Sequence, residues 1–327
     1  MKYDLYFHND FDGKAAAAIV LAFLESRGDR VEYYVPMDHA ADHGRGAGYF
    51  NENFFKGKNP GIVLDYRYHP GAAWWFDHHP TAFRTEAWRK RFRSDERHRL
   101  DPSYISACHL VYDSLRRDFG WKPLSHLKEL AKWLDVVDGA RYASAEQVIR
   151  FREPALQVAL YADRGTERER EARWFIGLLA HRPLAAIAAE PKIKKFVAAF
   201  RTRLVAGLAF SKKNIVVDGR VGTLDISGRN LRSIKEGLRF APFYFYPTLE
   251  SSIRITEKDG RFNLGWGVNP WRKNNNRLDI GKILKEYYGG GGHRNAGGAG
   301  FKTHADAMNA IAELVVMANQ NNSVEKR

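Results

Sequence analysis

Apolar residues in the first eighty positions come in short runs, each stopped by a polar or glycine-bearing break. Tyr3-Asp4-Leu5-Tyr6-Phe7 runs into His8-Asn9-Asp10-Phe11-Asp12-Gly13, Gly61-Ile62-Val63-Leu64 into Asp65, and Ala72-Ala73-Trp74-Trp75-Phe76 into Asp77-His78-His79. Runs this short, bounded by turn signals, predict buried strands over 3–8, 61–65 and 73–77, with a further strand at 30–37. The alanine-rich stretch from Lys14 to Leu24 predicts a helix near 14–27. Helical patterns follow near 103–119, 124–137, 144–160 and 167–179. The last opens on Glu167-Arg168-Glu169-Arg170-Glu171, which suits a solvated face. Strand–helix–strand alternation argues for a parallel sheet covered by helices.

The pattern changes after 184–209, a connector helix containing Lys192-Ile193-Lys194-Lys195-Phe196-Val197. Beyond it, strands are predicted at 214–217, 221–226, 242–247, 252–258 and 262–269. Asp259-Gly260 between the last two is a hairpin signal. The expected architecture is therefore α/β. It has a domain over 1–185 with helices on both faces of a parallel sheet, a connector at 186–211, a smaller α/β domain at 212–320 and a frayed polar tail at 321–327. No internal repeat is visible.

The chain has 327 residues, enough for two domains, and 44% hydrophobic content supports a full core. No stretch of about 18 apolar residues suggests a membrane span. The chain begins directly on a strand pattern with no secretory leader. The single cysteine, Cys108, excludes an internal disulfide and a thiolate metal cluster, and reads as a small core residue. The expectation is a soluble cytoplasmic protein. The net charge of +14, from 52 basic and 38 acidic residues, points to a nucleic acid, nucleotide or polyphosphate partner, although a generally basic proteome gives the same charge.

In open α/β sheets, sites form at the carboxyl ends of the strands, so three strands ending in carboxylate or imidazole should converge on one crevice. Oxygen and nitrogen donors at this density suit Mn²⁺ or Mg²⁺. His8, Asp10 and Asp12 alternate along what reads as an extended segment, which would put them on one face. Asp138 ends an apolar helix just before Gly139, and Asp135 competes with it for the same role. Two cations about 3.5–4 Å apart would suit phosphoester cleavage by an activated water.

Together these motifs resemble the DHH phosphoesterases. Asp77-His78-His79 matches the motif that names the family. The segment 8–13 looks like its first motif, Asp65 like its second, and Asp138-Gly139-Ala140-Arg141-Tyr142 like its fourth. Gly289-Gly290-Gly291-Gly292-His293-Arg294-Asn295-Ala296-Gly297-Gly298 resembles the signature of the DHH-associated C-terminal domain. The resemblance spans 8–301, with the motifs in the family's order. It implies a two-domain enzyme with two Mn²⁺ ions (Mg²⁺ or Co²⁺ as substitutes) and substrate in a cleft between the domains. By position, His8, Asp10 and Asp65 would hold one metal. Asp12, Asp65, His78 and Asp138 would hold the other, with Asp65 bridging. His79 would either support a ligand from behind or contact phosphate, and Asp77 would orient a ligand. The first motif departs from that of small-substrate members: only Asn9 separates His8 from Asp10, a spacing closer to the RecJ-type exonucleases.

The glycine run has its own chemistry, since backbone N–H groups there can approach a phosphate closely. Gly291, Gly292, His293 and Arg294 are the candidate substrate contacts, with His293 also a candidate catalytic group beside Asp65 and His79. Asn269-Pro270-Trp271-Arg272-Lys273 offers Asn269 to a phosphate or base and Trp271 for stacking; a proline turn with a packed tryptophan is the alternative. Met37-Asp38-His39-Ala40-Ala41-Asp42-His43 reads as a polar loop before a further metal site. Arg45 and Arg67 read as solvated. The basic stretch 88–99 reads equally as a strand guide or a solvated loop. The expected function is a Mn²⁺-dependent phosphoesterase that cleaves short oligonucleotides, with a homodimer possible. Removal of a 3′-phosphate from phosphoadenosine, cyclic dinucleotide hydrolysis and polyphosphate cleavage would use the same metal residues. The competitor from another class is a non-catalytic nucleotide or RNA binder.

Overall fold

The computed structural model describes residues 1–37, 50–164, 169–228, 238–272 and 278–320. Asp38 to His43, Arg45, Glu167, Arg168, Lys273 and the tail 321–327 lie outside the described residues. The chain divides into two compact units. One comprises Met1–Arg141 and Arg152–Val197, the other Tyr142–Phe151 and Ala198–Arg327.

The first unit opens with β1 (Lys2–His8), α1 (Phe11–Ser26), β2 (Arg30–Met37), β3 (Gly61–Leu64) and β4 (Trp74–Asp77). It continues through α2 (Glu86–Arg91), β5 (His98–Leu100), α3 (Ala107–Phe119) and α4 (Ser125–Asp138). After α5 (Ala145–Arg150), which belongs to the second unit, come α6 (Pro154–Arg164), α7 (Glu169–His181) and α8 (Leu184–Ala188). The helix α9 (Pro191–Asn214) starts in the first unit and ends in the second.

The strands form a parallel sheet in the order β2-β1-β3-β4-β5. Side chains alternate across it as period-two geometry requires. Tyr6, Val63 and Trp75 enter an aromatic cluster with Phe50, Phe54, Tyr66, Tyr68 and the α2 residue Trp88. The opposite face is covered by long helices, with Trp74 of β4 packing on Phe23 of α1 and Phe119 of α3. Ala15, Ala16, Ala17 and Ala18 of α1 are fully buried, and their small side chains let neighbouring helices close around α1. The register pairs Phe7 with Leu64 and Leu64 with Phe76. Their successors His8, Asp65 and Asp77 therefore lie side by side at the carboxyl edge.

The second unit contains β6 (Val216–Asp218), β7 (Val221–Asp225), α10 (Ala241–Phe245), β8 (Ser251–Lys258) and β9 (Arg261–Val268). It ends with α11 (Ile280–Tyr288), β10 (Gly291–His293), β11 (Ala296–Phe301) and α12 (His304–Gln320). Its sheet runs β10-β11-β9-β8-β7-β6, with only β7 and β8 parallel. Ile253, Ile255, Leu264 and Trp266 pack under Ile280 and Leu284 of α11 and Ala310 and Leu314 of α12. Among the described residues, no helix is long and apolar enough to cross a membrane.

Several predicted elements differ. The segment 8–12 is not one extended strand: Asp10 caps α1 and Asp12 lies in its first turn. Residues 144–160 form two helices broken at Phe151, which takes φ 45°. The predicted strand at 242–247 is instead the helix α10. Its aromatic run favours strands, but Pro242 in the first turn lacks only an N–H that a helix start does not use. The basic stretch 88–99 comprises the end of α2, a connecting segment and the start of β5. The Asp259-Gly260 hairpin turn is present, with φ 54° and 72°.

The glycine run forms the turn after α11 and the β10–β11 hairpin. A Cβ on Gly292, at φ 146°, would sit 2.4 Å from the Ala296 carbonyl oxygen, whereas one on Gly291 meets nothing within 4 Å. Gly292→Ala is expected to destabilise the second unit by about 1–3 kcal/mol, and Gly291→Ala by much less. Urea unfolding followed by tryptophan fluorescence checks the difference; equal midpoints would show that the hairpin tolerates a side chain at both positions.

Candidate metal centre

Each element delivers one part of a cluster at the carboxyl edge of the parallel sheet. His8 ends β1, and its Nδ1 lies 2.8 Å from Asp10 Oδ2 and 3.5 Å from Asp65 Oδ2. Asp10 is placed by capping α1, where its Oδ1 accepts from the Gly13 N–H at 2.9 Å. Asp65 follows β3 in a left-handed conformation, φ 54°, unfavourable for a residue with a Cβ and tolerated where surrounding structure enforces it. His78 Nε2 lies 3.8 Å from Asp12 Oδ2, 3.6 Å from Asp65 Oδ1 and 3.8 Å from Asp138 Oδ2. His79 Nδ1 lies 2.9 Å from Asp77 Oδ1 and 3.5 Å from Asp65 Oδ1.

Three groups of potential ligands result: His8, Asp10 and Asp65; Asp12, His78 and Asp138; and Asp65, Asp77, His78 and His79. Within each group the donor atoms lie within 4.8 Å of one another. All the residues singled out in the N-terminal motifs are thus brought together. Asp135 is not among them. Its carboxylate bonds Ser106 and His109.

The electrostatics are unfavourable without a cation. Burial pushes Asp65 and Asp12 well above the usual carboxylate range, and neighbouring carboxylates add to both. Burial, then the charge of Asp10, raises Asp138 to about 6. Burial also acts to raise Asp10, but the hydrogen bond and charge of His8 outweigh it and hold this group at about 2. His78 is lowered by burial and by His79, whereas the Asp77 hydrogen bond raises His79. Asp65 Oδ1 and His78 Nε2 are buried, and neither has a hydrogen-bond partner among the described residues. Buried polar atoms are normally satisfied. Two unsatisfied lone-pair donors facing a common space, in an all-oxygen-and-nitrogen set, fit a divalent cation.

Supporting contacts not anticipated from sequence fix the potential ligands. Tyr104 O accepts from His78 Nδ1 at 3.2 Å, which leaves the Nε2 lone pair toward the cluster. Asp12 accepts from the Ala107 and Cys108 N–H groups at 2.6 and 2.9 Å, at the start of α3. The buried Lys14 donates to Asn9 O at 2.7 Å and Ala162 O at 3.0 Å, tying the first-motif loop to α6. Ser106, the N-cap of α3, is the one legible signal for this arrangement. Cys108 is a buried core thiol whose pKa burial pushes up, which rules against a nucleophile.

In the second unit, His293 and Arg294 are exposed at the tip of the β10–β11 hairpin. Asn269 is buried, and its Nδ2 donates to Pro247 O and Leu249 O while Oδ1 accepts from the Trp271 N–H. Those bonds hold a turn. Trp271 donates to Tyr142 O at 2.6 Å and packs on Phe240 and Phe243, in line with the packed-tryptophan alternative. Much of the basic charge at 89–99 is neutralised internally: Arg89 pairs with Glu86, Arg91 with Glu52, Arg97 with Glu96 and Arg99 with Asp118. That weakens the strand-guide reading.

No protein-family model and no curated protein matches the sequence. Solved structures match in fold. A pGpG-specific phosphodiesterase, PggH, from Vibrio cholerae is 19% identical, with a TM-score of 0.68, covering 97% of this chain and 99% of that one. A DHH domain from a member of a ribosomal-protein family is 16% identical, with a TM-score of 0.59, covering 96% and 86%. RecJ from Thermus thermophilus in complex with Mn²⁺ is 14% identical, with a TM-score of 0.54, covering 98% of this chain and 52% of that one. The chain has the α/β fold of DHH-domain proteins.

Asp12 and Asp65 bind protons more readily folded than unfolded. Their ionisation therefore removes stability as pH rises from about 4, the unfolded carboxylate value, through their raised folded values. Asp138, at about 6, acts in the same direction. Without divalent ions, Asp65→Asn is expected to melt at or above the wild-type temperature at pH 7 and to lose most of that advantage at pH 4.5. Scanning calorimetry in chelator checks this; a variant much less stable than wild type at pH 7 would mean that Asp65 is satisfied without a metal.

Proposed function

We propose that this chain is a divalent-metal-dependent phosphodiesterase acting on short linear oligonucleotides, dinucleotides included. The observation that carries the reading is the buried Asp65 Oδ1 and His78 Nε2, left without hydrogen-bond partners among the described residues inside a cage of carboxylates and imidazoles. His8, Asp10 and Asp65 would hold one cation; Asp12, Asp65, His78 and Asp138 would hold the second. Mn²⁺ is the first choice, with Mg²⁺ or Co²⁺ as substitutes. Bound there, the cations supply Lewis-acid chemistry, activating water at neutral pH and offsetting charge on the phosphoryl oxygens.

The chain's own groups do the rest. Asp77 holds His79 through Nδ1 and raises its proton affinity, so that the protonated ring would present Nε2–H to a non-bridging phosphoryl oxygen. His78 keeps its Nε2 lone pair toward the cluster because Nδ1–H is committed to the Tyr104 carbonyl. In the second unit, β10 is the edge strand of its sheet, so part of its backbone faces away from the ladder. Gly291, Gly292, His293 and Arg294 would grip a terminal phosphate there, with Arg294 as fixed charge and His293 as a second donor. Asn269 shapes the preceding turn and is not part of this grip.

Support for a short substrate comes from the pGpG-specific phosphodiesterase, whose substrate is a linear dinucleotide and which aligns over nearly the full length of both chains. Support for a metal comes from RecJ, solved with Mg²⁺ and with Mn²⁺. The net charge of +14 favours an anionic substrate.

With Mn²⁺ present, a linear dinucleotide and a trinucleotide are expected to be hydrolysed to mononucleotides. Long RNA, a cyclic dinucleotide, 3′-phosphoadenosine-5′-phosphate and polyphosphate should react far more slowly, and Asp65→Ala should stop turnover. Cleavage confined to one of the other substrates would replace the substrate assignment, and tight binding without turnover in Mn²⁺, Mg²⁺ or Co²⁺ would make the protein a binder. Arg294→Ala is expected to raise KM for the dinucleotide while leaving Mn²⁺ affinity unchanged, and steady-state kinetics with calorimetric metal titration separate the two. An unchanged KM would remove Arg294 from the substrate grip.

A further inference from the structure

We propose that Asp135 is a positioning residue for the metal centre: it clamps the segment 104–109, which aims both Asp12 and His78, and does so from the helix that carries Asp138. The inference rests on the metal reading above.

Asp135 and Asp138 are three residues apart on α4, so they share a helix face. Asp138 reaches the cluster; Asp135 reaches the start of α3 instead. Its Oδ1 accepts from Ser106 Oγ at 2.8 Å and its Oδ2 bonds His109 Nδ1 at 2.6 Å. Ser106 Oγ in turn accepts from the His109 N–H at 3.2 Å as the cap of α3. One carboxylate thus pins both ends of the first helical turn.

That turn holds two candidate ligands. Directly after Ser106, the Ala107 and Cys108 N–H groups carry both oxygens of Asp12. Two residues before it, the Tyr104 carbonyl carries His78 Nδ1. The loop is closed from the outside as well: Tyr104 Oη donates to Asp113 Oδ2 at 3.2 Å, and that same oxygen lies 3.7 Å from His109 Nε2. A shift of segment 104–109 would therefore move ligands from β4 and α1 together, relative to Asp138 on α4.

The chemistry requires an acceptor on both sides, because Ser106 Oγ–H and His109 Nδ1–H are both donors. A carboxylate meets this. An amide keeps the serine bond but presents N–H toward His109, which can adapt by changing tautomer. Alanine loses both bonds. The expected order of metal affinity is Asp, then Asn, then Ala.

The test is calorimetric titration of the full chain with Mn²⁺, for wild type, Asp135→Asn and Asp135→Ala, together with hydrogen exchange of the metal-free proteins. Asp135→Ala is expected to weaken Mn²⁺ binding by about 10–100-fold, with Asp135→Asn between it and wild type. Exchange should quicken in peptides covering 104–110, while peptides from β8 and β9 keep wild-type rates, which separates local loosening from misfolding. Wild-type binding with an equal Kd in Asp135→Ala overturns this inference alone. So does a loss in Asp135→Ala accompanied by faster exchange throughout the chain, since that is general unfolding. Absence of Mn²⁺ binding by the wild type overturns both this inference and the metal reading.

Discussion

A carboxylate taken out of water needs a cation or several donors, and Asp65 Oδ1 has no hydrogen-bond partner among the described residues. It is nearly fully buried, it is crowded by Asp10, Asp77 and Asp138, and its backbone is held at positive φ. Nothing in the packing of the parallel sheet requires a carboxylate there. The arrangement becomes favourable once divalent charge enters, because the same crowding that opposes ionisation then supplies ligands. The three groups of potential ligands in the first unit are gathered around this carboxylate and its neighbours.

The fold delivers the potential ligands by ordinary means. Parallel register aligns the ends of β1, β3 and β4, so His8, Asp65 and Asp77 are neighbours before any side chain turns. A capped helix start places Asp10 and Asp12, and the N–H groups opening α3 carry Asp12. The positive end of α3 also favours an anion at that point. Aromatic packing under the sheet and alanine packing of α1 supply a rigid base for these contacts, which is what a well-defined ligand set needs.

Much of this is legible in sequence. The strand runs end in ligand residues because parallel sheets put sites at their carboxyl edges, and a motif made of side-chain identities survives errors in local conformation. Sequence groups His8, Asp10 and Asp12 by alternation along one strand face, whereas a helix cap places Asp10 beside His8 and the first helical turn carries Asp12 to a separate group with His78 and Asp138. The aromatic run after Pro242 misleads because strand preference and helix-start preference overlap in so short a segment. Spacing does not separate Asp135 from Asp138, since both lie on one helix face and only the tertiary position of α3 tells them apart. Asn269 looks like a ligand-binding amide because the three backbone groups that occupy it are brought to it by turns and tertiary packing.

The most direct test is crystallography of the protein grown with Mn²⁺, with anomalous diffraction collected at the manganese edge. Anomalous density is expected at the carboxyl edge of the parallel sheet, one peak bounded by His8, Asp10 and Asp65 and another by Asp12, His78 and Asp138. No density there at saturating Mn²⁺, with Asp65 and His78 instead bonded to protein groups or water, would contradict a metal centre at this site.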